Sequence, residues 1–148
     1  MIVDKNIFLN KKILIYGLGK SGLSSFTFLK KKSEIFLYDD NFSKVQALNL
    51  KKNIITYKNI LKSRFDQIII SPGIDINKCK LSKFLKKNND KVYSDLDVFY
   101  SFYKNDCITI TGTNGKSTTC QLLYEILLNQ KADVKLVGNI GNPILSVK

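Results

Sequence analysis

At 148 residues and 44% hydrophobic content the chain has enough length and apolar surface for a packed core, which excludes a disordered segment. Its formal net charge of +12 raises nucleic acid as a partner, yet Arg64 is the only arginine, and bidentate readers of bases and phosphates are arginine-rich, so no nucleic-acid partner is expected. There is no histidine, which excludes histidine-based nucleophilic catalysis, and Cys79, Cys107 and Cys120 are odd in number and far apart, so neither a disulfide framework nor a zinc site is indicated.

In chain order, Met1 to Lys5 carries no signal-peptide core, and no apolar run is long enough to span a bilayer. A cytoplasmic protein without membrane insertion is expected. Lys12 to Tyr16 is a short apolar run of the kind a buried parallel strand needs. It leads into Gly17-Leu18-Gly19-Lys20-Ser21-Gly22, and Leu23, Phe26 and Leu29 then recur at helical spacing within a helix expected over Ser21 to Lys31. Lys30 to Lys32 suit the negative end of that helix. A second apolar run, Ile35 to Tyr38, ends at Asp39-Asp40, with Asp39 22 residues beyond Gly17. Strand, glycine turn, helix, strand and acid follow in the order of a dinucleotide-type site.

Two further α/β units are expected. Residues 43–52 read as helix, through Val45, Leu48 and Leu50, and Ile54 to Tyr57 as a short strand. Phe65 to Ile70 is a stronger strand, stopped by Ser71-Pro72-Gly73 at what becomes the carboxyl edge of the sheet, where ligands of open α/β sheets bind. Ile74 to Lys87 places Leu81, Phe84 and Leu85 at helical spacing, and Lys91 to Tyr93 reads as a strand. Ser94 and Asp97 fit a capping box opening a helix through Tyr103, so Asp95 and Asp97 need no catalytic role. Lys104-Asn105-Asp106 is the expected domain junction.

From Cys107 the pattern restarts. Cys107 to Thr111 is a β-branched strand candidate running into Gly112-Thr113-Asn114-Gly115-Lys116-Ser117-Thr118 and a helix with Leu122, Leu123, Ile126 and Leu127 on one face. A turn of backbone N–H groups, a helix N-terminus and a lysine together suit a phosphate, and the serine hydroxyl suits a phosphate-bound Mg²⁺. The general motif wants a glycine where Ile110 stands, so only its second half is met. Asn129 to Ala132 reads as the helix exit, Asp133 to Val137 as a strand, and Gly138 to Pro143 as a second glycine-rich turn. One strand–helix–strand unit buries too little area for a core of its own. The expected fold is therefore α/β: a Rossmann-like parallel-sheet domain over 1–105, then the incomplete start of a P-loop-type α/β ATPase domain over 106–148, together the N-terminal portion of a larger enzyme.

Gly112 to Thr118, preceded by Ile110-Thr111, resembles the ATP loop of the Mur ligases of peptidoglycan synthesis. Gly17 to Gly22, Ser71 to Gly73, Ser94 to Phe99 and Gly138 to Gly141 fall in the order found in the branch that adds D-glutamate to UDP-N-acetylmuramoyl-L-alanine. The resemblance covers residues 9–148 and also removes the objection of Ile110, because that family lacks the first glycine too. It implies an ATP- and Mg²⁺-dependent ligase, monomeric at full length, in which ATP phosphorylates a carboxylate and the amine of D-glutamate attacks the acyl phosphate. It implies ATP phosphates held by Gly112, Thr113, Asn114, Gly115, Lys116, Ser117 and Thr118, with Lys116 catalytic and Ser117 on the metal. On the UDP side it implies Lys20 and Ser21 at the diphosphate, Asp39 and Asp40 at the uridine, Gly73 beside the ligand, and Gly138 and Asn139 reaching it from the second domain. Asn41 departs from an arginine the family can carry, which leaves one uracil-side contact open, and Asp97-Val98 replaces a common Glu-Leu. The family's acidic metal ligand, modified lysine and C-terminal domain have no counterpart here, so the 148 residues alone are expected to bind and not turn over. The residues by themselves also admit a nicotinamide-dependent oxidoreductase, which asks for Asp39 but leaves Gly112 to Thr118 without a purpose, and a non-catalytic nucleotide-sensing module.

Overall fold

The computed structural model of the chain describes residues 6–41, 50–138 and 141–147. Strand β1 (Lys12–Tyr16) lies between β2 (Glu34–Tyr38) and β3 (Gln67–Ile70), with β4 (Val92–Tyr93) outside β3; the order is β2-β1-β3-β4 and all three pairings are parallel. The register sets Ile13 opposite Ile35 and Gln67, and Tyr16 opposite Tyr38 and Ile70. Helices α1 (Lys20–Leu29), α2 (Tyr57–Lys62) and α3 (Ser82–Lys87) lie between strands, α4 (Asp95–Phe102) follows β4, and α5 (Lys116–Asn129) opens the second glycine-rich unit.

The sheet is covered on both faces, which is why β1 is apolar at consecutive positions rather than alternate ones. Ile13 and Ile15 face a cluster with Phe26 and Leu29 of α1 and Val98 of α4. Leu14 and Tyr16 face the opposite cluster with Ile60 of α2 and Leu81 and Leu85 at α3. Each of these fully buried β1 aliphatics contributes about 2 kcal/mol of apolar transfer. At α4 the capping box forms as expected: Ser94 Oγ accepts from the Asp97 N–H at 3.3 Å, and Asp97 Oδ2 accepts from the Ser94 N–H at 2.7 Å.

Three expected elements differ. Most of the helix expected over 43–52 lies outside the described residues, and Lys51–Asn53 is a 3₁₀ turn. Ile54 makes only an isolated bridge to Leu37, because Thr56 Oγ1 accepts from the Asn59 N–H at 3.4 Å and starts α2. Only Ser82–Lys87 of the stretch 74–87 is helical. Asp75 takes the Asn77 N–H on its side chain at 2.9 Å and so offers the backbone a local alternative to a helix.

In the second unit, Cys107 to Thr111 and Asp133 to Leu136 form no ladder among the described residues; Val137 is bridged only to Asn142. Strand propensity needs a hydrogen-bonded neighbour to become a strand. Helix α5 forms where expected yet buries no residue, and Leu122 and Ile126 are more than half exposed. The chain then returns: Ile144 and Leu145, in a 3₁₀ turn (Ile144–Ser146), are buried in the cluster of α1 and α4.

Candidate functional site

Strand β1 continues to β2 on one side, whereas β3 lies on its other side, so the carboxyl ends of β1 and β3 diverge at a topological switch point. A cleft of about 320 Å³ opens there, lined by Gly17, Gly19, Lys20 and Ser21 from the first turn, Asp39 after β2, and Ser71 to Ile74 after β3. Gly17 has φ +95° and donates its N–H to Tyr38 O at 2.9 Å. Its carbonyl accepts the Ser71 hydroxyl at 2.8 Å, which ties the two lips together. A Cβ on Gly17 would lie 2.8 Å from Ser71 Oγ, and one on Gly22 would lie 1.9 Å from Gly17 O. Glycine is required at both positions.

Helix α1 begins at this cleft without a side-chain cap and with no acidic residue in its first turn. Its leading N–H groups, at Lys20 and Ser21, are therefore free to receive an anion along the positive end of the helix dipole. Gly19 and Gly73 have open space where a Cβ would stand, which leaves room for a ligand against the backbone.

Asp39 and Asp40 have separate surroundings. Asp39 lines the cleft, but both of its oxygens are engaged: Oδ2 accepts the Leu18 N–H at 2.7 Å and Oδ1 the Asn41 N–H at 2.8 Å. It holds the glycine turn in shape. Asp40 is outside the cleft lining, where its Oδ2 accepts the Tyr16 hydroxyl at 2.6 Å and its Oδ1 is buried with no hydrogen-bond partner. Burial first, then the Asp40 carboxylate, pushes the Tyr16 hydroxyl well above the ordinary tyrosine range. The same two causes push Tyr38 up to about 12.

At the turn leading into α5, Gly112 has φ +148° and Gly115 has φ +75°, the latter as N-cap of α5. Lys116 Nζ folds back to donate to Gly112 O and, at 3.0 Å, to Thr113 O. The ammonium thus stands over the loop while the first turn of α5 holds no acid to repel a phosphate. Ser117 and Thr118 are exposed at that helix N-terminus. Among the described residues no group of three or more His, Cys, Asp or Glu gathers to hold a metal.

Of the residues expected at the UDP side, Lys20, Ser21, Asp39 and Gly73 come together in one cleft. Gly138 lies apart from that lining, in a turn where it donates its N–H to Asn142 O at 3.0 Å, and Asn139 lies outside the described residues. Sequence reasoning missed the Ser71 hydroxyl bridge and the Tyr16–Asp40 contact. A serine after an apolar strand, and a tyrosine ending one, were their signals. No helix among the described residues is long and apolar enough to cross a membrane.

Residues 11–92 match the family described as Mur ligase MurD-like, N-terminal domain, and residues 110–147 match the Mur ligase middle domain. Among curated relatives, the UDP-N-acetylmuramoylalanine–D-glutamate ligase of Rickettsia bellii is 37% identical over 142 residues, covering 93% of this chain and 31% of the relative. The enzymes of that name from Lachnoclostridium phytofermentans and Aquifex aeolicus are 36% and 35% identical, each covering 92% of this chain and 32% and 30% of their own lengths. The chain spans about a third of the length of the curated relatives it matches.

Proposed function

The chain belongs to the Mur ligase family, and from that membership we propose that it supplies the UDP-binding and phosphate-binding parts of an ATP-dependent ligase joining D-glutamate to UDP-N-acetylmuramoyl-L-alanine. The observation that carries the reading is the pairing, in one chain, of a switch-point cleft at an uncapped helix with a Gly115-Lys116-Ser117 phosphate turn. In this reading residues 1–105 bind the nucleotide-linked substrate and 106–148 begin the ATP domain. The leading N–H groups of α1 at Lys20 and Ser21 receive the diphosphate. Asp39 shapes the turn beneath it, Asp40 is on the uridine side, Gly73 permits close backbone approach, and Gly138 and Asn139 serve the substrate from the second domain.

Gly112 to Gly115 cradle the phosphates of ATP, and Lys116 exchanges its loop carbonyls for phosphate oxygens, holding charge on the transferred group. Thr118 adds a phosphate contact. The exposed Ser117 oxygen, with no acid beside it in that first turn, fits a magnesium ion that takes its other ligands from phosphate and water. That ion would supply charge neutralisation. Chemically, the substrate carboxylate takes the γ-phosphoryl group and ADP leaves; the D-glutamate amine then attacks the acyl carbon and phosphate departs. The protein is cytoplasmic and monomeric at full length, and the 148 residues bind without turning over.

Ligand protection tests this reading. UDP-N-acetylmuramoyl-L-alanine and ATP-Mg²⁺ each raise the melting temperature of a full-length enzyme carrying this segment, and NADH does not. Stabilisation by NADH and not by the UDP compound sinks the ligase assignment in favour of a nicotinamide enzyme. In the same enzyme, Lys116→Ala lowers D-glutamate-dependent phosphate release by about a hundredfold or more while UDP-substrate affinity is kept. Wild-type turnover refutes the phosphate role.

A further inference from the structure

A second hollow on the first domain lies away from the candidate substrate cleft, at the opposite, amino edge of the sheet. It measures about 540 Å³ and is walled by Lys11 and Lys12 entering β1 and by Lys30, Lys31 and Lys32 leaving α1. Glu34 and Asp66 are the only acids in that wall, so five lysines share it with two acids. No ion pair relieves them: the one formed among the described residues, Lys78 to Asp75 at 3.8 Å, lies elsewhere.

The wall is built rather than loose. Asn10, at φ +55°, donates its N–H to Lys32 O at 2.9 Å; the Lys11 N–H reaches Ser33 Oγ at 3.3 Å; and the Glu34 N–H donates to Lys11 O at 2.9 Å. These bonds fasten the two lysine-bearing segments to each other. Three of the ammonium groups are held over aromatic faces: Lys12 over Phe36 at 5.0 Å, Lys30 over Phe26 at 5.8 Å and Lys32 over Phe28 at 4.5 Å. The end of α1 accounts for Lys32, whose Nζ donates to Phe28 O at 3.2 Å. It leaves Lys11 and Lys31 with no side-chain hydrogen bond, ion pair or ring contact among the described residues.

We propose that this hollow is a second anion site, distinct from both nucleotide sites, and that it takes a small ligand bearing two or more linked phosphates. A single phosphate is too small to touch cations distributed round about 540 Å³, whereas linked phosphates place several charges among them at once. The Asn10–Lys32 and Lys11–Ser33 bonds hold the two lysine-bearing backbone segments together before the ligand arrives, which lowers the ordering cost of binding.

The test is a titration of the 148-residue chain followed by amide NMR, with inorganic tripolyphosphate, orthophosphate and a twelve-nucleotide single strand as probes at matched ionic strength. Tripolyphosphate shifts the amides of Asn10, Lys11, Lys31 and Ser33 saturably, separately from those of Gly112 to Thr118, and orthophosphate does so at least about tenfold more weakly. The Lys11→Ala/Lys31→Ala double variant, at exposed or half-exposed positions, keeps its fold and its response at Gly112 to Thr118 but binds tripolyphosphate at the hollow about fivefold to tenfold more weakly. Absence of saturable shifts at the hollow, or an unchanged response in the double variant, overturns the site. Tighter binding of the single strand than of tripolyphosphate overturns the small-ligand assignment and makes the face a nucleic-acid surface. None of these outcomes depends on the ligase reading.

Discussion

Gly22 shows how tightly the switch-point cleft is drawn at single positions. Its missing Cβ lets α1 approach the Gly17 carbonyl, and a methyl there would meet that oxygen at 1.9 Å, a backbone atom that cannot rotate away. Gly22→Ala therefore costs about 3 kcal/mol in urea denaturation and weakens binding at the cleft, because α1 must retreat from the turn whose N–H groups it presents. A stability within about 0.5 kcal/mol of the parent would show that the helix is free to move. The two tyrosines ending β1 and β2 carry a different signature. Their folded pKa values lie above the ordinary tyrosine value of about 10, with Tyr38 at about 12, so the native state holds protons that the unfolded chain has released. The resulting stability is complete below about pH 10 and is lost as pH rises through about 12. Tyrosinate absorbance of the folded chain rises late for these two rings, and the denaturation midpoint falls across the same interval. A midpoint that is flat from pH 9.5 to 11.5 would contradict the burial assigned to them.

At the scale of elements, α4 is the clearest case of a local signal determining a local structure. Ser94 and Asp97 close their capping box without help from distant residues, and Val98 on the inner face packs beneath α1. Ser94→Ala removes the acceptor for the Asp97 N–H and lowers stability by about 1 kcal/mol, measured by urea unfolding. Ser94→Asn, which keeps a capping oxygen, restores most of it. Helix α5 is the contrary case. Its sequence makes a helix of Lys116–Asn129, with Gly115 in the left-handed conformation at its start, yet its apolar face has no partner among the described residues. Leu122, 55% exposed, tolerates alanine within about 0.5 kcal/mol in this chain.

Across the whole molecule, the two glycine-rich units are joined by packing as well as by chain. The exposed stretch Lys104 to Thr109 leads out to the glycine turn before α5, and Ile144 and Leu145 lead back into the cluster of Phe26, Leu29 and Val98. The first domain's core thus includes residues beyond the expected junction at 105 and 106. Leu145→Ala costs about 2–4 kcal/mol and lowers the melting temperature of the chain, unlike the same change at Leu122. Equal, small effects at the two leucines would mean that the returning segment is not docked.

Local chemistry determined much of this protein before any tertiary contact. Apolar runs at Lys12 to Tyr16, Ile35 to Tyr38 and Phe65 to Ile70 could be read as strands of a parallel sheet because strands buried on both faces leave little room for polar residues. Gly17 to Gly22 and Gly112 to Ser117 could be read as anion turns because φ > 0 and close approach demand glycine. Tertiary structure decided what depends on partners distant in sequence. It split Asp39 from Asp40, giving one to the glycine turn and the other to Tyr16, since neighbours in a chain leave a strand end toward different sides. Among the described residues it left Cys107 to Thr111 outside any ladder, since a strand exists only against a neighbour. It gathered Lys11, Lys12 and Lys30 to Lys32, which the sequence shows as two unrelated charge runs, around one hollow.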